Sequence, residues 1–116
     1  MKIVRVYSGA DGESHFEDLG TEYLDQLVAG NGAGPARVSR RSPGDWFDYH
    51  TAPRRQWVVF LAGVSEFETA DGSVRRLGPG DVLLAEDLTG HGHVARGVGT
   101  EHRLSVSFPM PSDGAG

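Results

Sequence analysis

Histidine is the residue type with the widest chemical use in this sequence, and four of its five copies lie between residues 50 and 102. His50 follows a tyrosine, His91 and His93 flank one glycine, and His102 precedes the last apolar run. Neighbouring residues on a strand point to opposite faces, so His91 and His93 are predicted to share a face. Two imidazoles at that spacing can hold one metal ion or exchange protons near neutral pH.

The same alternation places further residues on common strand faces. On the strand around residues 50–60 one face carries His50, Arg54, Gln56, Val58 and Phe60. On later strands the matching faces carry His91, His93 and Ala95, and then His102, Leu104 and Val106. If these faces line one barrel, four histidines converge with Gln56 inside it. His15 follows the first turn, and strand alternation does not assign it to a face.

Arg54 and Gln56 are suited to holding a substrate and not to moving protons. An amide donates and accepts hydrogen bonds and is a weak neutral metal ligand. A planar guanidinium holds a carboxylate or a phosphate group. An inward Arg54 needs a partner, either a substrate anion or an internal acid such as Asp45 or Asp48, and the internal pair is favoured. Alternation along the strand places Arg55 on the outward face.

Composition narrows the functional classes. The 116 residues include no cysteine, so disulfides, thiol nucleophiles and cysteine metal sites are excluded. The formal net charge of -5 argues against binding nucleic acid through its phosphates. No apolar run approaches the ~20 residues of a membrane span, and the amino end lacks a signal-peptide pattern. We therefore expect a cytoplasmic protein with neither a nucleic-acid nor a membrane partner.

Charge is uneven along the chain. Residues 37–60 carry five basic and two acidic groups, and they are the only segment with a net positive charge. Such a segment can attract an anionic ligand, although solvated surface arginines are the commoner explanation.

The elements that position these residues are predicted to be short strands with one helix. Apolar residues recur at helical spacing from residue 21 to 29, where Thr21 can cap the start and Gly30 can end the helix. Strands are predicted over 46–50, 56–62, 91–96 and 102–108, and Asp-Gly at 71–72 predicts a hairpin. Residues 31–35 form a predicted flexible connector, and residues 109–116 a fraying tail. Seven or so short strands at near-regular spacing indicate an all-β sandwich or barrel in one domain over 1–116.

From about residue 37 to 108 the order and spacing of strands resemble the cupin superfamily. The segments that carry the resemblance are Gly78-Pro79-Gly80-Asp81-Val82-Leu83-Leu84, Ala52-Pro53-Arg54-Arg55-Gln56, Glu86 to His93, and Ser14-His15-Phe16-Glu17-Asp18. They look like a subgroup of small single-domain bacterial cupins. The resemblance implies a jelly-roll β-barrel with one short N-terminal helix, and a homodimer.

The first cupin motif, G(X)5HXH(X)3-4E(X)6G, is altered here at two positions. Gly44 and His50 have the expected interval, but Ala52 occupies the second histidine position and Gln56 the glutamate position. In the second motif, G(X)5PXG(X)2H(X)3N, the histidine position falls on His91, and His93 lies two residues later.

Either of these two histidines could be the carried-over ligand. If the site holds a metal, the resemblance implies one divalent ion, Zn, Ni, Fe or Mn, on His50, Gln56, His91 and His93. The lack of a carboxylate ligand makes oxygenase chemistry a poor match.

The predicted function is therefore a small-molecule enzyme of the cupin type that performs isomerisation, cyclisation, dehydration or lyase chemistry. His50 and His93 would be the acid and base, or ligands of a metal that polarises a carbonyl. Five residues would bind the substrate: Arg54, Gln56, His91, Phe60 and His102. The alternative is a cupin that binds or senses a small ligand without catalysis, and a storage-type protein is less favoured.

Overall fold

The computed structural model describes residues 1–29 and 33–111, which form ten strands and one short helix. The strands are β1 (Ile3–Ser8), β2 (Ser14–Leu19), β3 (Arg37–Arg41), β4 (Trp46–His50), β5 (Gln56–Ala62), β6 (Val64–Glu68), β7 (Val74–Leu77), β8 (Val82–Glu86), β9 (His93–Val98) and β10 (Arg103–Pro109). A 3-10 turn (Thr21–Tyr23) leads into helix α1 (Leu24–Ala29).

The strands form two sheets. One has six strands in the order β2-β1-β8-β5-β10-β3, and the other has four in the order β4-β9-β6-β7. β1 pairs with β8 in parallel, whereas the other described pairs are antiparallel. The predicted all-β, cupin-like barrel with one short helix is confirmed. Ten strands are present among the described residues where seven or so were expected, and β1 and β2 join the larger sheet from outside residues 37–108.

The larger sheet is buried on both faces. Successive residues of β8 alternate, so that Leu83 and Ala85 join the cluster between the sheets and Leu84 joins a second cluster on the outer face. Trp57 of β5 is fully buried in the outer cluster, and α1 packs against it through Leu27. This two-sided burial explains the continuous apolar run of β5.

Two predicted boundaries near turns differ from the structure. Gly20, and not Thr21, is the residue that precedes the 3-10 turn, and it makes no side-chain cap. β9 begins at His93 and not at residue 91, because Gly90 and Gly92 have φ of +82° and +84° and form a turn there.

The strand β2 was not predicted, because its polar SHFEDL sequence lacks β-branched residues. The predicted helix end at Gly30 lies outside the described residues, as do parts of the connector and the tail. No helix among the described residues has the length and apolar character needed to cross a membrane.

Candidate functional site

A cavity of about 510 Å³ lies between the two sheets. Its described lining contains four arginines, two histidines, one glutamine and five hydroxyl side chains, but no aspartate or glutamate. Phe60 and Phe67 form an apolar part of the wall, with ring centres 6.0 Å apart. A cavity with this lining attracts anions and repels cations.

The arginine-rich wall comes from two adjacent strands. β3 contributes Arg37, Ser39 and Arg41, and β10 contributes Arg103, Ser105 and Ser107. The register pairs Arg41 with Arg103, and Ser39 with Ser105. The prediction that His102, Leu104 and Val106 share the cavity face is wrong, because β10 begins at Arg103 and turns the odd-numbered residues inward. His102 does not line the cavity.

The histidine pair lies on the smaller sheet, where β4 and β9 are neighbours. His50 pairs with His93 across the two strands, and their ring centres are 4.7 Å apart. Nδ1 of His50 donates to the carbonyl oxygen of Asp48 at 2.8 Å. His50 is exposed, whereas His93 is buried, so the cavity is open to solvent on the His50 side.

A fully buried aspartate orients His93. Nδ1 of His93 donates to Oδ2 of Asp87 at 2.5 Å, and the hydroxyl of Ser14 donates to the same oxygen at 2.8 Å. Asp87 is itself fully buried. Since a carboxylate accepts the proton of Nδ1, Nε2 is the nitrogen left for chemistry in the cavity. A buried carboxylate in this position also stabilises an imidazolium.

His91 lies outside the cavity. Its Nδ1 hydrogen-bonds Oε1 of Glu13 at 2.7 Å, and its ring stacks on Tyr49 with centres 3.8 Å apart. The intervening Gly92 explains the separation from His93: with φ at +84° it turns the chain before β9 begins. A Cβ at Gly92 would lie 2.0 Å from the carbonyl oxygen of His50, so the close approach of the two histidine strands requires glycine.

His15 also lies away from the cavity. Its Nε2 bonds the carboxylate of Asp11 at 2.9 Å, and this hydrogen bond raises the pKa of His15. Strand alternation makes no prediction about the face on which His15 lies.

Arg54 lines the cavity beside Gln56. Its Nε donates to Oε1 of Gln56 at 2.9 Å, whereas its Nη2 is buried without a partner among the described residues. The expected ion pair with Asp45 or Asp48 is wrong, because among the described residues Arg54 forms no salt bridge and uses Gln56 instead. Burial, and then the charge of Arg37, lowers the pKa of Arg54.

Arg103 is the most buried arginine of the cavity, with 8% of its surface exposed. Its Nη1 donates to the hydroxyl of Ser65 at 3.1 Å, and its Nε has no partner among the described residues. Burial is the main cause that lowers the pKa of Arg103; Asp45 opposes the shift and Arg41 adds to it. A buried cation without an ion-pair partner is costly, and a bound anion reduces that cost.

These donors do not fit a metal of the cupin type. His50 and His93 each leave an Nε2 free, but the oxygen of Gln56 accepts from Arg54, and His91 points elsewhere. No group of three histidine, aspartate or glutamate side chains with metal-binding geometry occurs within residues 1–29 and 33–111. The four guanidinium groups further disfavour a cation.

Several residues of the site were missed by the analysis of the sequence. Arg37, Ser39 and Arg41 follow an alternating polar pattern on β3, and Arg103, Ser105 and Ser107 follow one on β10. That shared alternation of arginine and serine was the available signal. Asp87 had no such signal, because its contact with His93 depends on the loop between β8 and β9.

No family model matches the chain, and neither does any curated protein. Among solved structures, DMSP lyase DddQ from Ruegeria pomeroyi is 25% identical with a TM-score of 0.54, over 83% of this chain and 52% of that one. A conserved protein of unknown function from Streptococcus pyogenes is 21% identical (TM-score 0.48; 66% of this chain, 65% of that one). A putative ethanolamine utilization protein from Salmonella typhimurium is 13% identical (TM-score 0.44; 96% and 98%). The chain spans about half the length of the lyase.

Proposed function

We propose that the cavity binds a small organic anion and catalyses a proton-transfer reaction on it, of the lyase type. The observation that carries this proposal is the pair His50 and His93 on one wall, facing arginines that have no acidic partner. The similarity to a DMSP lyase supports elimination over the isomerisation, cyclisation and dehydration that the same groups can perform.

Binding is assigned to Arg54 and Gln56. The unpartnered Nη2 of Arg54 donates to a carboxylate of the substrate, and the amide of Gln56 holds the guanidinium in place. Phe60 forms the apolar wall beside the carbon chain. The bound anion also offsets the mutual repulsion between Arg54 and Arg37.

The proton transfer is assigned to the two histidines. Nε2 of His93 removes a proton from the carbon next to the carboxylate, and the electrons of that C–H bond form a carbon–carbon double bond as the bond to the leaving group breaks. The leaving group departs with the electrons of its bond and takes the Nε2 proton of His50, which acts in its imidazolium form. Asp87 stabilises the imidazolium of His93, and Arg54 stabilises the negative charge that develops on the carboxylate.

The test is a turnover screen by proton NMR with small carboxylates that carry a leaving group two carbons from the carboxyl carbon. His93→Asn and His50→Ala are each expected to lower kcat by about 10² to 10⁴. Arg40→Met, an outward residue of β3, is the control for a change of charge and should leave kcat unchanged. Undiminished turnover in both histidine variants contradicts the assigned roles.

The cavity also suits a protein that only binds or senses an anion. Unchanged ligand recovered after long incubation, with a measured Kd and no product, would support that second function over catalysis.

A further inference from the structure

We infer that the ligand of this cavity is a dianion with two separated anionic groups, one held by Arg37 and Arg54 and the other by Arg41 and Arg103. This inference rests on the proposed function, in which Arg54 already holds one carboxylate. It adds a second subsite at the opposite end of β3.

The first argument is the placement of the arginines. Arg37 and Arg41 are the first and last residues of β3, so their Cα atoms are about 13 Å apart at the rise of an extended strand. Arg41 lies directly across from Arg103 in the register of the two strands. Arg37 is the charged neighbour that acts on Arg54. The positive charge of the cavity is therefore divided between two ends.

The second argument is that each end has a buried donor with nothing to bind. Nη2 of Arg54 and Nε of Arg103 are buried without a hydrogen-bond partner in the described part of the chain. None of the four cavity arginines forms a salt bridge with a described residue. Outside the cavity, five of the six arginines pair with a described acid, namely Arg5, Arg55, Arg75, Arg76 and Arg96, and the exposed Arg40 does not.

The third argument is that the fold makes room for Arg103. A Cβ at Gly97 would lie 2.9 Å from Nε of Arg103, and one at Gly63 would lie 2.8 Å from its Cγ. Gly63 also has φ of +71°, which favours glycine. Between the two ends, Ser39 and Ser105 lie opposite each other and line the cavity, where their hydroxyls can bond the middle of a polar ligand.

A guanidinium group binds a carboxylate through two parallel hydrogen bonds, so two such ends select for a molecule with an anion at each terminus. A single anion can satisfy only one end and leaves the buried guanidinium nitrogen at the other end, Nη2 of Arg54 or Nε of Arg103, without a hydrogen bond. Linear dicarboxylates meet the requirement and differ from monocarboxylates by one group only.

The test measures binding by calorimetry at constant ionic strength. Succinate, glutarate and adipate are compared with butyrate, pentanoate and hexanoate. At least one dicarboxylate is expected to bind tenfold or more tightly than its monocarboxylate partner. Arg103→Met should remove that difference and leave the Kd of the monocarboxylate within about twofold, since methionine keeps the apolar stem but not the charge.

Two controls separate the subsites from general electrostatics. Arg40→Met removes one charge from the outward side of β3 and should preserve the preference for the dicarboxylate. His93→Asn should preserve the binding of both ligand classes. Thermal unfolding confirms that each variant is folded before binding is measured.

The outcomes distinguish this inference from the proposed function. Equal affinity for dicarboxylates and monocarboxylates overturns the inference of a dianionic ligand. Equal effects of Arg103→Met and Arg40→Met on binding overturn it as well. If turnover of a monocarboxylate still depends on His93, the lyase function stands. Binding of a dicarboxylate that depends on Arg103, without turnover of any anion, supports the two subsites and overturns catalysis.

Discussion

Arg103→Met is expected to stabilise the ligand-free protein, although it removes a hydrogen-bonded side chain. The loss of the 3.1 Å bond to Ser65 costs about 1 kcal/mol, and the 3.5 Å contact with the carbonyl of Ser42 is too long to add much. Burial of a guanidinium without an ion-pair partner costs several kcal/mol, and the more distant Asp45 offsets part of that cost. We therefore expect the free energy of unfolding to rise by about 1 to 2 kcal/mol, and Tm by about 4 to 8 °C.

The assay is urea unfolding in a zwitterionic buffer that is low in small anions, because a bound anion would offset the buried charge in the wild-type protein. Urea is preferred over guanidinium chloride, since it adds no ions. Arg96→Met is the matched control. Arg96 donates to Glu66 at 2.8 Å and to Glu68 at 2.8 Å, so its removal should lower the stability by about 1 to 2 kcal/mol.

A rise in the free energy of unfolding for Arg103→Met, together with a fall for Arg96→Met, indicates that the charge of Arg103 is uncompensated in the cavity. If Arg103→Met is destabilised as much as Arg96→Met, the charge of Arg103 is satisfied in the folded protein. The argument for an anion at that end of the cavity would then fail. Addition of a binding dicarboxylate should stabilise the wild type more than Arg103→Met, in which only the Arg54 end still binds a carboxylate.

Three further predictions concern the histidine wall and the acid stability of the smaller sheet. Asp87→Asn should lower kcat by about 10² to 10⁴ and leave KM within twofold, because the amide no longer holds Nδ1 of His93 as a hydrogen-bond donor. Nitrogen NMR of this variant should show an altered tautomer of His93. An unaltered tautomer would contradict the role assigned to Asp87. Gly92→Ala should cost about 2 kcal/mol or more in thermal unfolding, whereas Gly72→Ala, with a similar φ and nothing within 4 Å, should cost only about 1 kcal/mol. The pKa of Glu66 is lowered by its bonds to two arginines, so it contributes stability above its unfolded value of 4.5 and loses it as the pH falls through the folded value. The difference in unfolding free energy between wild type and Glu66→Gln should therefore shrink on acidification, and a constant difference from pH 7 to pH 3 would contradict this.

Much of the fold followed from the sequence because it depends on short-range patterns. The apolar run of β5, the Asp-Gly hairpin and the helical spacing from residue 21 to 29 all specify elements that the structure contains. Alternation along β5 also placed Gln56, Val58 and Phe60 on the cavity side. Side chains alternate between the two faces of a strand, so once the first residue of a strand is known, the face of every later residue follows.

The errors arose where the start of a strand was uncertain by one or two residues. Counting from His102 instead of Arg103 exchanged the two faces of β10, and an early start for β9 placed His91 inside the cavity. Each shift is small in sequence, but a shift of one residue moves every side chain to the opposite face. The cytoplasmic location and the homodimer stay predictions.

The sequence by itself determined which chemical groups were available: imidazoles, arginines and an amide, without thiols, on strands of a β-barrel. Tertiary structure alone decided which of them meet. Asp87 reaches His93, and Arg41 lies across from Arg103, because a loop conformation and a strand register bring distant residues together. Those contacts depend on the packing of two sheets, which no local pattern encodes, and they place His91 away from the other candidate metal ligands, on Glu13.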